Sequence, residues 1–243
     1  MASYHLSIKN GKRGSAANHA AYIARVGKYG ACLDTPDLVA LEHGNLPEWA
    51  NGDPLYFFKM SDAGERANGA AYRELEIALP SELTQEQQQE LAREFVGQVI
   101  GPRPYLLALH SPTAALGGVP QDHMHAMFSD RMPDGIERPP ESFFSRFNPI
   151  HPELGGCKKS SGGKDRGELK GVLMAIREDF AELQNKHLKK YGHPARVDHR
   201  SNRDRGIETD AERHLGSGGI KSMTAQEKER YKENRKGLRQ AVA

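Results

Sequence analysis

Along Tyr4–Lys9, apolar Tyr4, Leu6 and Ile8 alternate with His5, Ser7 and Lys9, the two-residue period of a strand with one buried face. The same period predicts strands over 73–79 and 123–128. In the first, Leu75, Ile77 and Leu79 face a core while Glu74 and Glu76 face the other way. In the second, Met124, Ala126 and Phe128 point inward and His123 and His125 share the opposite face. The run 105–110 is apolar until His110 and reads as a buried strand. Helical spacing predicts a small-residue helix from a Ser15 N-cap to about Val26, carrying Tyr22. A second helix follows the capping box Thr84-x-x-Gln87, with Leu91, Phe95 and Val99 as its stripe. A third covers 168–191, and Pro54 opens a further one through Leu55 and Phe58. Residues 31–53 read as irregular and 129–167 as a long loop, with 155–167 a candidate disordered stretch. Residues 195–200 read as a short strand, and 221–243 as a loose helix or flexible basic tail.

If strands 105–110 and 123–128 pair antiparallel across the turn-rich loop between them, His110 lands beside His123. Imidazoles on a buried strand face are costly unless something pairs with them, and a first-row divalent metal does so. A His-x-His pair alone is equally consistent with two partly exposed histidines; a third histidine favours the metal. Three neutral ligands leave the full dication charge available to a phosphate or a water. Glu74 and Glu76 would ligate a metal, orient a ligating histidine, act as a base, or simply form a solvated strand face.

Composition narrows the class. The 243 residues carry a net charge of +2 and 37% hydrophobic residues, and the length suits one large domain or one domain with an extension. Mean hydropathy is −0.70, so the surface is very polar. No apolar run reaches the roughly 20 residues of a membrane span, and no signal peptide is visible. Cys32 and Cys157 lie far apart, which suits a reducing cytoplasm. Charge is unevenly placed. Arg131, Arg138 and Arg146 interleave with Phe143, Phe144 and Phe147, and 186–205 holds seven Lys/Arg, among them Arg196, Arg200 and Arg203, against two Asp. Basic and aromatic side chains together suit single-stranded nucleic acid. Arg200 has a structural alternative in pairing with Asp198.

Several stretches, taken in order, resemble the MobA/MobL (MobQ) family of plasmid-mobilisation relaxases. They are Met1–Leu6, Ala21–Tyr29, Glu65–Gly69, Glu74–Pro80, His110 with His123-Met124-His125, Asp134–Pro139, Val197–Ser201 and His214-Leu215-Gly216. The resemblance covers roughly 1–216, leaving 217–243 as a basic tail. It implies an α+β fold of the two-histidine (HUH) relaxase kind: a central antiparallel sheet of about five strands, with helices packed mainly on one face. It places Tyr22 on the nucleophile, His110, His123 and His125 on the ligands of a divalent ion (Mg2+ or Mn2+), and Glu74 and Glu76 on an acidic strand of less certain role. Lys28, within a matched stretch, joins the expected DNA contacts. The activity implied is site- and strand-specific nicking and rejoining at a transfer origin through a 5′-phosphotyrosine. The implied partners are single-stranded origin DNA, with room for accessory mobilisation proteins and a coupling protein.

Other readings stay open on the residues alone. Tyr22, from position alone, reads as a core tyrosine with its hydroxyl on backbone rather than as a nucleophile. A three-histidine metal would also serve a hydrolase, which leaves the basic cluster and Tyr22 unexplained. A rolling-circle replication initiator shares the chemistry, but its histidine pair usually precedes the tyrosine. A non-enzymatic DNA-binding regulator would use the metal structurally, and covalent attachment to DNA separates it from a relaxase.

Overall fold

The computed structural model describes residues 4–30, 37–113, 120–194, 197–208, 219–220 and 222–242, with side chains to Glu233. Among the described residues the strands are β1 (Leu6–Lys12), β2 (Leu38–Gly44), β3 (Ala70–Ala78), β4 (Tyr105–His110), β5 (His123–Phe128), β6 (Arg131–Met132) and β7 (Lys158–Lys159). The first five form one antiparallel sheet, the five-stranded kind the resemblance implies, in the order β1-β3-β5-β4-β2. The α-helices among the described residues include α1 (Ala16–Ile23), α2 (Pro54–Gly64), α3 (Gln85–Val99), α4 (Pro140–Phe143), α5 (Arg166–Lys190) and α6 (Ala225–Val242).

The two faces of the sheet are covered unequally. The long helices α3 and α5 pack Leu91, Phe95, Phe180 and Leu183 against Leu75, Ile77, Met124 and Ala126, the inward side of the alternation. Short α1 and α2 cover one end of the opposite face, where Ala16, Ala20, Phe57 and Phe58 meet Tyr72, Leu106 and Met127. The small residues of α1 let it lie close to the strands. The other end of that face is left to polar side chains.

Local signals explain most helix starts. Thr84 and Gln87 make the expected capping box, and Asp165 with Glu168 makes another at α5. The start of α1 differs from the expectation: Ser15 makes no side-chain cap. The carboxylate of Asp62, from α2, instead accepts from the backbone amides of Gly14, Ala16 and Ala17 at 2.7–3.0 Å. A tertiary contact thus supplies what the local sequence does not.

Other expectations are corrected. Residues 38–44, read as irregular, form the edge strand β2; with one neighbour and no clean alternation, it has little local signature. Residues 197–200 form no strand: Val197 bonds through both backbone groups to the Asn185 side chain. The 129–167 segment is a packed lobe. Phe143 and Phe144 are core residues, Cys157 is buried and free, and Lys158–Lys159 pair with Arg131–Met132. Arg196, Cys32 and the boundary drawn at 216 lie outside the described residues.

Candidate metal centre and nucleophile

The antiparallel register assembles the centre. β5 presents His123 and His125 on one face; β4 sets His110 across from His123, and β3 sets Glu76 across from His125. One ring nitrogen from each of the three histidines lies within 4.8 Å of the others. Their ring centroids are 5.1–5.4 Å apart, with planes inclined at 51–90°, so the rings converge rather than stack.

Partners set which nitrogen each ring offers. His123 Nδ1 is 2.8 Å from the carbonyl of Gln121, and His125 Nδ1 is 2.7 Å from Glu74 Oε1. Carbonyl and carboxylate oxygens only accept, so both Nδ1 atoms carry the hydrogen, and in the neutral ring Nε2 is the nitrogen with the lone pair. Metal-ligating histidines are commonly braced this way. His110 is held at both nitrogens: Arg25 reaches Nδ1 at 3.1 Å, and Nε2 is 2.8 Å from the carbonyl of Ile23. Burial, and then the Arg25 charge, push its imidazole down to about 4, so it is neutral at pH 7. Burial also pulls His123 down.

The acidic strand is fully engaged. Glu74 is 1% exposed and accepts from His125, with His19 Nε2 at 2.9 Å from the same oxygen. Burial alone would raise its pKa, but the two imidazoles outweigh that and hold it at about 2. Glu76 pairs with Lys9 across the strands; burial raises its pKa, but Lys9 prevails and the net shift is downward. The set Glu74, Glu76 and His125 also converges, but it is mostly carboxylate, a donor set that suits harder cations. The three imidazoles therefore fit a first-row divalent ion better than the carboxylates do.

Tyr22 stands on the outer side of α1, 42% exposed, rather than as a core tyrosine. Its ring stacks near His19 at 6.0 Å, meets Tyr29 edge-on at 5.4 Å, and lies under the Arg25 guanidinium at 4.7 Å. Its chain neighbour Ile23 is the residue whose carbonyl touches His110. His19 is held in turn by stacking on Tyr72 at 5.1 Å. That ring crosses β1 at Gly11, where a Cβ would sit 1.7 Å from Tyr72 Cε1, so only glycine fits.

Not every expected contact residue is placed to meet DNA. Arg131 is 3% exposed; its guanidinium bonds Glu65 and the carbonyls of Ser145, Cys157 and Phe144. Arg138 is 6% exposed and bonds Asp134 and the carbonyls of Gly155 and Pro152. Both are interior staples, because buried guanidiniums need their donors satisfied. Arg200 pairs with Asp198 at 2.6 Å but stays exposed, as do Lys28, Arg146 and Arg203. Residues missed in the sequence are His19, Arg25, Asp37 and Lys9. The signals were faint: His19 is three residues from Tyr22 on one helix, and Lys9 shares the polar side of its strand with His5 and Ser7.

Known proteins resemble this chain in both sequence and fold. The model of the MobA/MobL family matches residues 35–227. The chain is 51% identical over 209 residues to the "43 kDa relaxation protein" of Salmonella typhimurium, covering 86% of this chain and 56% of that one. It is 41% identical over 221 residues to "Mobilization protein A" of Escherichia coli, covering 89% of this chain and 30% of that one. The chain thus spans about half of the first relative and under a third of the second. A solved structure described as "Molecular Basis of Vancomycin Resistance Transfer in Staphylococcus aureus" shares the fold, with a TM-score of 0.59 at 20% identity, over 82% of this chain and all of that one.

Proposed function

The chain belongs to the MobA/MobL family, and from that premise we propose that it cuts and rejoins one DNA strand at a transfer origin, with Tyr22 as nucleophile. The observation that carries the reading is the exposed Tyr22 phenol on a helix whose last carbonyl contacts a histidine of the convergent set.

The Tyr22 hydroxyl attacks the scissile phosphorus, its oxygen forms the new P–O bond, and the bond to the 3′ oxygen breaks. The phenol proton leaves to solvent and the departing 3′ oxygen takes one up. The product is a 5′-phosphotyrosine with a free 3′-hydroxyl, and the same site runs backwards to rejoin ends. A divalent ion held by His110, His123 and His125 would neutralise charge on the phosphate's non-bridging oxygens. Donor softness favours Mn2+ over Mg2+ in an all-imidazole set. Glu74 orients His125 and is too well held as an anion to serve as a base near neutrality. Glu76 anchors Lys9 on the same face.

The strand-transferring unit is 1–216, with 217–243 as a basic tail. Single-stranded origin DNA meets Lys28, Arg146, Arg200 and Arg203, and the work is cytoplasmic, beside accessory mobilisation proteins and a coupling protein. Among the described residues no helix is long and apolar enough to cross a membrane. The deciding experiment is nicking of supercoiled origin plasmid followed by protease treatment. Wild type should leave a protein-blocked 5′ end, and Tyr22→Phe should bind the origin strand but not cut it. Cleavage at a comparable rate by Tyr22→Phe removes Tyr22 as nucleophile; binding without any covalent adduct favours a DNA-binding regulator.

A further inference from the structure

The end of α1 and the side chain of His110 share one set of hydrogen bonds. Arg25 bonds Asp37 through two nitrogens at 2.9 and 2.8 Å, the carbonyl of Tyr22 at 2.8 Å and His110 Nδ1 at 3.1 Å. The carbonyl of Ile23 lies 2.8 Å from His110 Nε2. A guanidinium only donates, so Nδ1 is the acceptor and Nε2 carries the hydrogen, donated to Ile23. Both nitrogens of His110 are thereby engaged by the end of the helix that bears Tyr22. Among the described residues, His123 and His125 each bond through Nδ1.

The backbone does not place Arg25 there by itself. Its φ is +55°, a region that costs a non-glycine residue energy. The side-chain contacts hold it, chiefly the fork on Asp37.

A metal ion takes a ring nitrogen without a hydrogen. We propose that Arg25 latches His110 to the end of α1, so that His110 completes the three-histidine set only when the latch opens. Arg25 is then a positioning residue that makes ion uptake and the placement of Tyr22 one coupled event. The proposal rests on the reading of His110, His123 and His125 as metal ligands and adds to it an order of assembly. It also fixes a sign: losing Arg25 should tighten metal binding, whereas an arginine that merely braced a ligand would weaken it when lost.

The test is calorimetric titration of the full chain with Mn2+ at pH 7. Arg25→Gly removes the latch at a backbone position that glycine accepts. It also leaves Asp37 unpaired near the ion, so the double variant Arg25→Gly/Asp37→Asn, which leaves no orphan charge, carries the decision. One hydrogen bond of ordinary net strength corresponds to about two- to ten-fold in affinity. The double variant should therefore bind Mn2+ about two- to ten-fold more tightly than wild type. In wild type, Mn2+ should also speed amide hydrogen exchange at Ala24–Val26 as the latch opens. Unchanged or weaker affinity in a double variant with a wild-type circular dichroism spectrum overturns the latch, as does wild-type exchange that Mn2+ leaves unaltered. His123→Ala serves as the control. If its Mn2+ binding equals wild type, the three-histidine reading itself fails, which is a separate outcome.

Discussion

Replacing Glu74 with Gln removes the charge that holds His125 and His19. The carboxyl is 1% exposed and is depressed from 4.5 to about 2. At 1.36 kcal/mol per pK unit, that depression favours the folded, ionised form by about 3 kcal/mol. Because the folded value lies below the unfolded one, this stabilisation is complete above about pH 4.5 and is lost as pH falls towards 2. Gln does not ionise, and its carbonyl still accepts from one histidine, which recovers about 1 kcal/mol at every pH. The stability gap between wild type and Glu74→Gln should therefore shrink by about 3 kcal/mol between pH 5 and pH 2, whatever its offset at neutrality. Urea denaturation followed by circular dichroism, in EDTA, measures the gap at each pH; subtracting the variant cancels the other carboxylates. A gap that stays constant across that range refutes the view that an ionised Glu74 braces the imidazoles.

Three further outcomes follow from the same geometry. Asp62→Ala should cost about 1–2 kcal/mol, by loss of three amide contacts at the start of α1, and slow single-turnover cleavage because the Tyr22 helix loosens; a wild-type cleavage rate counts against α1 needing that anchor. Arg131→Ala should lose about 3–5 kcal/mol in urea melts by leaving the buried Glu65 with Lys159 alone of its two ion-pair partners and by stripping the carbonyls of Ser145, Cys157 and Phe144 of that donor, and small losses, below about 1 kcal/mol, would return Arg131 to the surface. Neutralising Lys28, Arg146 and Arg203 together should flatten the slope of log affinity against log salt by about 0.7 for each residue that contacts a phosphate; fluorescence anisotropy showing an unchanged slope removes all three from the DNA path.

The unbroken apolar run marked the strand at 105–110; periodicity by itself determined the strand at 123–128, the inward faces of the sheet, and the shared face of His123 and His125. Those follow from the two-residue alternation, a local property of the chain. Antiparallel pairing across the turn-rich connection sets His110 beside His123, a placement the sequence allowed and the register of β4 on β5 bears out. The motif set carried the family, which a short His-x-His could not. Tertiary structure alone decided the rest. β2 reads as irregular locally and becomes a strand only because β4 offers an edge. Arg131, Arg138, Phe143 and Phe144 look like nucleic-acid contacts in sequence and are interior, since composition says nothing about which side of a loop faces the core. Asp62 caps α1 from 46 residues away, and Arg25 meets His110 across 85. Contacts at that separation have no sequence period; they exist only because the sheet brings the two ends of the site together.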